Sequence, residues 1–132
     1  MITSRTKQEY ASPKNLIKFL NQKDFYSRVY KVVESIPPGR VTTYGAISGY
    51  LGVKSGARMV GYALNQLIQL RTDKHYPAHR VVNRLGQLTG RGYFPDDTMR
   101  ERLEQEGVTF TEEYTVDIQN HFWDPSEEEN DS

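Results

Sequence analysis

The sequence predicts a small, mainly α domain, and three observations carry that expectation. Apolar residues recur at helical intervals in separate stretches, two of those stretches are joined by a short glycine-containing turn, and Asn83-Arg84-Leu85-Gly86 reads as the tight turn of a short β hairpin. A chain of 132 residues has the length of one ordinary domain with one hydrophobic core.

Residues 1–22 show no sustained periodicity beyond a short amphipathic turn at Leu16, Ile17, Phe19 and Leu20, and read as a flexible basic arm. A domain is expected over 23–125. Its first helix starts at Asp24 as N-cap, places Phe25, Val29, Val32, Val33 and Ile36 on one face, and stops at Pro37-Pro38-Gly39. After Val41-Thr42-Thr43-Tyr44, a second helix carries Ala46, Ile47, Tyr50 and Leu51, with Gly52 as its stop. Ser55 caps a third helix running to about Leu70, with Ala57, Val60, Gly61, Leu64 and Ile68 inward. Two short helices across Gly52-Val53-Lys54-Ser55 fit a helix-turn-helix, and fit an ordinary packed αα corner equally well.

Tyr76–Asn83 reads as a loop entering a short buried strand, and the turn at 83–86 leads back into Gln87-Leu88. Asp96 or Asp97 caps a further helix through Met99 and Leu103, ended by Gly107, and Val108-Thr109-Phe110 is extended. Residues 126–132, rich in glutamate, are expected to be a disordered acidic tail.

Composition narrows the chemistry. There is no cysteine, which removes disulfides, thiolate metal sites and thiol nucleophiles together. His75 and His79 stand four apart, but Pro77 between them opposes the helix that would make them a metal pair, so neither metal nor cofactor is expected. The formal net charge of zero hides an asymmetry of +4 over residues 1–23, +7 over 24–93 and −11 over 94–132. A basic body suggests an anionic partner such as nucleic acid, although a solvated charged surface gives the same count. No apolar run approaches the ~18 residues of a membrane span, and Met1–Arg5 lacks the apolar core of a secretory signal. A cytoplasmic monomer, nucleoid-associated when bound to DNA, is the expectation.

Several motifs occur in fixed order: Ile36-Pro37-Pro38-Gly39-Arg40-Val41-Thr42-Thr43-Tyr44, Ala57-Arg58-Met59-Val60-Gly61, Pro77-Ala78-His79-Arg80-Val81-Val82, Gly86, Gly90-Arg91 and Leu103-Glu104-Gln105-Glu106-Gly107-Val108. Over about residues 24–110 this series resembles the C-terminal DNA-binding domain of O6-alkylguanine-DNA alkyltransferases, the methylated-DNA–protein-cysteine methyltransferases. The resemblance implies a winged-helix-like domain with a helix-turn-helix and a short β hairpin. It also sets Ala78 at the position of the alkyl-accepting cysteine in the family's Pro-Cys-His-Arg motif. A methyl side chain has no lone pair with which to attack an alkyl carbon, so His79, Arg80 and Glu106 become residues of a vestigial site and enzymatic transfer is not expected. The related alkyltransferase-like proteins lack this cysteine, often carrying tryptophan there, and flag O6-alkylguanine for nucleotide excision repair. Three further features resemble that group or depart from active members: Leu67 where active members usually have asparagine, Arg91 where they usually have tyrosine, and Phe122-Trp123-Asp124-Pro125 near the end.

The resemblance assigns roles residue by residue. Arg58 is the finger that fills the stack when a base leaves it, and Tyr44 crowds the 3′ phosphate to promote rotation of the base. Met59, Gly61 and Ala63 lie on a recognition helix directed at the minor groove, where Gly61 and Ala57 allow close backbone approach; tight helix packing is the other use of Gly61. Tyr76, Pro77, Ala78, Arg91 and Tyr93 form the alkylguanine pocket. There Arg91 senses O6 electrostatically or stacks over the base. Glu106 keeps the orientation of His79. The partner implied is double-stranded DNA containing O6-alkylguanine, with nucleotide excision repair proteins downstream. An active alkyltransferase carrying a Cys→Ala substitution, and a general DNA-binding regulatory module, are the alternatives.

Overall fold

The computed structural model describes residues 13–127, with side chains from residue 23 onward. A long helix, α1 (Pro13–Glu34), opens the chain. It buries Phe25, Val29, Val32 and Val33, and Ile36 just beyond its end joins them. The helix begins well before Asp24, which is an exposed interior residue and not a cap. Pro13 suits a first helical turn, and no glycine or proline interrupts residues 14–34, so nothing in the backbone forces a start at 24. The basic segment 1–12 and the acidic end 128–132 lie outside the described residues.

A strand of two residues, β1 (Thr42–Thr43), leads directly into α2 (Tyr44–Tyr50). Thr43 turns the corner: its backbone is extended and its hydroxyl accepts from the Ala46 amide at 3.0 Å, capping the helix. Gly52, at φ +79°, ends the turn after α2 as expected. The next helix, α3 (Ala57–Gln69), is capped by Gly56 and not by Ser55, which takes φ +61°. A side chain at 56 would collide with Ser48 Oγ and Val53, so the turn between the helices needs glycine there. The buried stripe of α3 is Val60, Ala63, Leu64 and Leu67. It is rotated from the one read off the sequence: Ala57 faces solvent and Gly61 sits at the boundary.

After α3 a 3-10 turn (Ala78–Arg80) enters β2 (Val81–Val82), which pairs with β1 in parallel, Thr42 opposite Val81. A second 3-10 turn (Arg91–Tyr93) precedes α4 (Thr98–Gln105). Asp97 holds the cap position of α4 without a side-chain cap bond. The antiparallel hairpin is β3 (Phe110–Glu112) with β4 (Thr115–Val116), and not 81–88 as the turn residues suggested. The turn at 83–86 does form, with Asn83 Oδ1 accepting from the amides of Leu85 and Gln87. Gln87, however, bridges Thr115, so this turn delivers its strand to the later hairpin. A short helix, α5 (Ile118–His121), follows.

The chain then closes on its own beginning. Val41 donates to His121 O at 2.9 Å, and Trp123 donates to Val41 O at 2.7 Å, laying residues 121–123 along the other side of Val41. Trp123 is buried against the core. His121 adds a cross-brace, Nδ1 to Gly39 O at 3.0 Å and Nε2 accepting from the Thr109 amide at 3.1 Å. Arg40 reaches the same segment through the carbonyls of His121 and Phe122.

Two glycines test this packing in opposite directions. Gly86 has φ +86°, and a Cβ there would lie 2.5 Å from Val116 O. Gly86→Ala is expected to cost at least ~1–3 kcal/mol in denaturant unfolding. Gly49, inside α2 with nothing within 4 Å of its virtual Cβ, should give a stabilising Gly49→Ala of about 0.5–1 kcal/mol.

Candidate nucleic-acid interface and lesion pocket

The turn carrying Ala78 is held by a carboxylate. Glu106, at the C-terminal cap of α4, accepts from Arg80 at both oxygens, Nε to Oε1 at 3.0 Å and Nη2 to Oε2 at 2.7 Å. His79 Nε2 is 2.8 Å from Oε2, and the Gly39 amide points at Oε1 from 3.4 Å. The third guanidinium nitrogen of Arg80 donates to Ile36 O at 2.7 Å. One carboxylate thus gathers the end of α1, the Ala78 turn and the end of α4.

The electrostatics follow from this geometry. Burial pushes the His79 imidazole below its ordinary value; Glu106 opposes that shift, and Arg80 and Arg102 reinforce it. Burial alone would raise Glu106, but the hydrogen bonds from Arg80 and His79 outweigh it and hold the carboxyl below the usual range. A neutral imidazole beside an ionised carboxylate carries its proton on Nε2. Nδ1 is left as an acceptor, buried and without a hydrogen-bond partner among the described residues. The preceding residue, Ala78, is 4% exposed and offers only a methyl group.

The residues expected to touch DNA separate into two groups. Arg58 is exposed in the first turn of α3, and Met59 is half-buried against the core. Ala63 is fully buried, which removes it from any contact surface; the helix phase that turns Val60 and Leu64 inward takes Ala63 with them. Gly61 lies under Tyr44, whose Cε1 would be 4.0 Å from a Cβ at 61. Burial raises the Tyr44 phenol, the neighbouring Tyr93 adds to the shift, and a hydrogen bond from Thr89 opposes it. The Tyr44 hydroxyl also lies 3.2 Å from where a Gly90 Cβ would be. Tyr44 therefore joins the helix pair to the 89–93 segment.

The pocket residues are less closely grouped than the sequence suggested. Pro77 and Ala78 are buried, while Tyr76 packs against Tyr30 with ring centroids 5.8 Å apart and planes tilted by 45°. Tyr93 is 54% exposed. Arg91 is exposed, with its guanidinium carbon 3.8 Å from the centroid of the Tyr114 ring. A cleft of about 640 Å³ beside Arg91 runs along Thr89, Glu112, Glu113 and Tyr114. A smaller one of about 340 Å³ reaches Pro77 from the side of His79, Arg80 and Glu106. Ala78 lines neither. His75 and His79 are engaged by different carboxylates, His75 by Glu34 at 2.7 Å.

The family model of the DNA-binding domain of 6-O-methylguanine DNA methyltransferase matches residues 24–108, about two thirds of the chain. The chain belongs to this family. Alkyltransferase-like protein 1 of Schizosaccharomyces pombe is 38% identical over 107 residues, 77% of this chain and 96% of that one. The DNA base-flipping protein of Escherichia coli is 37% identical over 107 residues, covering 80% and 79%. Among solved structures, S. pombe Atl1 in complex with damaged DNA containing O6-carboxymethylguanine superposes with a TM-score of 0.65 at 35% identity, over 76% of this chain and 95% of that one. Mycobacterium tuberculosis OGT in complex with DNA gives 0.53 at 36% identity, over 63% and 49%.

Within this alkyltransferase-family domain, several supporting groups were not visible in the sequence. Ile36 and Gly39 enter the Glu106 web through main-chain atoms, which residue type does not advertise. Thr89 beside Tyr44 and Tyr114 beneath Arg91 become neighbours only through the hairpin and the second 3-10 turn.

Both perturbed groups make acid unfavourable to the fold. His79 titrates lower when folded than its ordinary 6.5, so stability should decline as pH falls below about 6.5, where the unfolded chain takes up a proton first. Glu106 adds a second decline as pH falls below its ordinary 4.5. Glu106→Gln should lower stability at pH 7 by ~1.5–3 kcal/mol and flatten the lower limb of a denaturant-midpoint profile against pH.

Proposed function

We propose that this protein is a non-enzymatic sensor of O6-alkylguanine in duplex DNA. The observation that carries the reading is the Pro77-Ala78-His79-Arg80 turn, held by Glu106, with a methyl group where the family's acceptor thiol stands. The sequence has no other cysteine to take an alkyl group. The likeness to an alkyltransferase-like protein solved on O6-carboxymethylguanine DNA, and to a protein named for base flipping, supports lesion binding by base extrusion.

On this reading Arg58, projecting from the start of α3, fills the gap left in the stack. Tyr44 presses on the backbone beside it, and the extruded base enters near Ala78 under the control of Arg91. Extrusion costs a few kcal/mol and least for a weakly paired lesion, which itself favours alkylguanine. The bound complex persists because no bond is made, and it serves as the mark that nucleotide excision repair proteins act upon. Ala78 contributes no chemistry to that site.

Titration of matched duplexes with guanine or O6-methylguanine, followed by intact-protein mass measurement, tests this reading. A preference for the lesion with unchanged protein mass is expected. Equal affinity for the two duplexes would indicate a general DNA-binding module, and a stoichiometric gain of one alkyl group would make the protein a transferase. Arg58→Ala should weaken binding to the lesion duplex by ~1–3 kcal/mol. Arg91→Ala should reduce the ratio of lesion to guanine affinity with little loss on the guanine duplex. Affinity should also fall steeply with salt.

A further inference from the structure

Tyr114 stands in the turn of the β3–β4 hairpin, and its carbonyl accepts from the Leu88 amide at 2.9 Å. That bond ties the hairpin turn to the segment leading into Arg91. The ring lies against the Arg91 guanidinium at 3.8 Å, covering one face of the planar cation. Arg91 is nevertheless exposed, so part of the guanidinium stays open to a ligand. Partial desolvation and the nearby Asp97 carboxylate, at the start of α4, raise the phenol above its ordinary value.

The surroundings give this stack a purpose. Glu112 and Glu113 line the same cleft as Arg91, yet Arg91 forms an ion pair with neither among the described residues. A free arginine side chain is rich in rotamers and would be drawn toward those carboxylates. The contact with the aromatic face is attractive and holds the cation away from them before any ligand arrives.

We propose that Tyr114 is a positioning residue for lesion discrimination: it backs the Arg91 guanidinium so that the cation's free side is already presented to an extruded base. The inference rests on the reading of Arg91 as the base-sensing residue. Pre-ordering of this kind improves affinity by lowering the entropy lost on binding, and it acts only on the ligand that Arg91 touches. Its signature is therefore a change in the lesion-to-guanine affinity ratio, with affinity for the unmodified duplex unaltered.

The test is equilibrium binding of the full chain to duplexes containing guanine or O6-methylguanine, for the wild type, Tyr114→Phe, Tyr114→Ala, Arg91→Ala and the double alanine variant. Tyr114→Ala should lower the affinity ratio ~3–10-fold, within the range of one lost cation–π contact, while Tyr114→Phe stays within about 2-fold of wild type. Adding Tyr114→Ala to Arg91→Ala should produce no further loss. An Arg91→Ala variant that loses discrimination while Tyr114→Ala keeps it overturns the role of Tyr114 and leaves the sensing role of Arg91 intact. Discrimination untouched by Arg91→Ala, or absent in the wild type, overturns both. Equal weakening on the two duplexes, a Tyr114→Phe variant that behaves like alanine, or an additive loss in the double variant shows that Tyr114 does not act by backing Arg91.

Discussion

The Glu106 carboxylate is the point on which the architecture turns. Its two oxygens receive the forked guanidinium of Arg80, the imidazole of His79 and the amide of Gly39, while Arg80 carries the connection on to Ile36 O. Charge-assisted bonds with this bidentate geometry are directional as well as strong, so they fix orientation along with proximity. What they fix is the backbone of the Ala78 turn. None of these bonds uses the side chain at 78, so the turn keeps its shape whether that side chain is a thiol or a methyl. The scaffold therefore makes no demand on the side chain at this position, and the alanine methyl packs into the core.

The same network revises the picture of the charged surface. Residues 24–93 carry a clear excess of basic side chains, but several are committed to internal work. Arg80 belongs to the Glu106 web, Arg40 fastens the 121–122 carbonyls, and Arg28 donates to Leu51 O. Lys54 and Arg58 face outward at the turn and the first turn of α3, while Lys31, Arg71, Lys74, Arg84 and Arg91 are exposed elsewhere in the segment. A short electropositive edge at the start of α3 suits a protein that approaches an anion along one helix end.

The helical segments were legible because burial of an apolar stripe imposes a 3.6-residue repeat that few other structures produce. Thr43, Gly52 and Gly107 mark turns for equally local reasons, and Gly52 and Gly107 both take positive φ. The misplacements arose where distant contacts decide. Ser55 has the better capping side chain, but Ser48 and Val53 leave room only for Gly56. Gln87 follows a real turn, yet its partner Thr115 lies far along the chain. At the site, the Pro77–Arg80 motif was readable as a resemblance, whereas the assignment of Ala63 to the DNA face failed by a small rotation of α3. The Arg91–Tyr114 contact depends on hairpin placement, which no local pattern encodes.

The pairing of Val41 with residues 121–123 bears on how the molecule is made. Val41 immediately precedes the strand and cap from which α2 departs, and its other main-chain partners arrive some eighty residues later. During synthesis the helix pair can form early, since its contacts are local, but the strand that sets its base stays unpaired on one side until Trp123 has cleared the ribosome. The docking of that late segment against Val41 is a non-local closure, slower to form than the local contacts of the helix pair. Residues 121–123 act as a latch on the base of the helix pair.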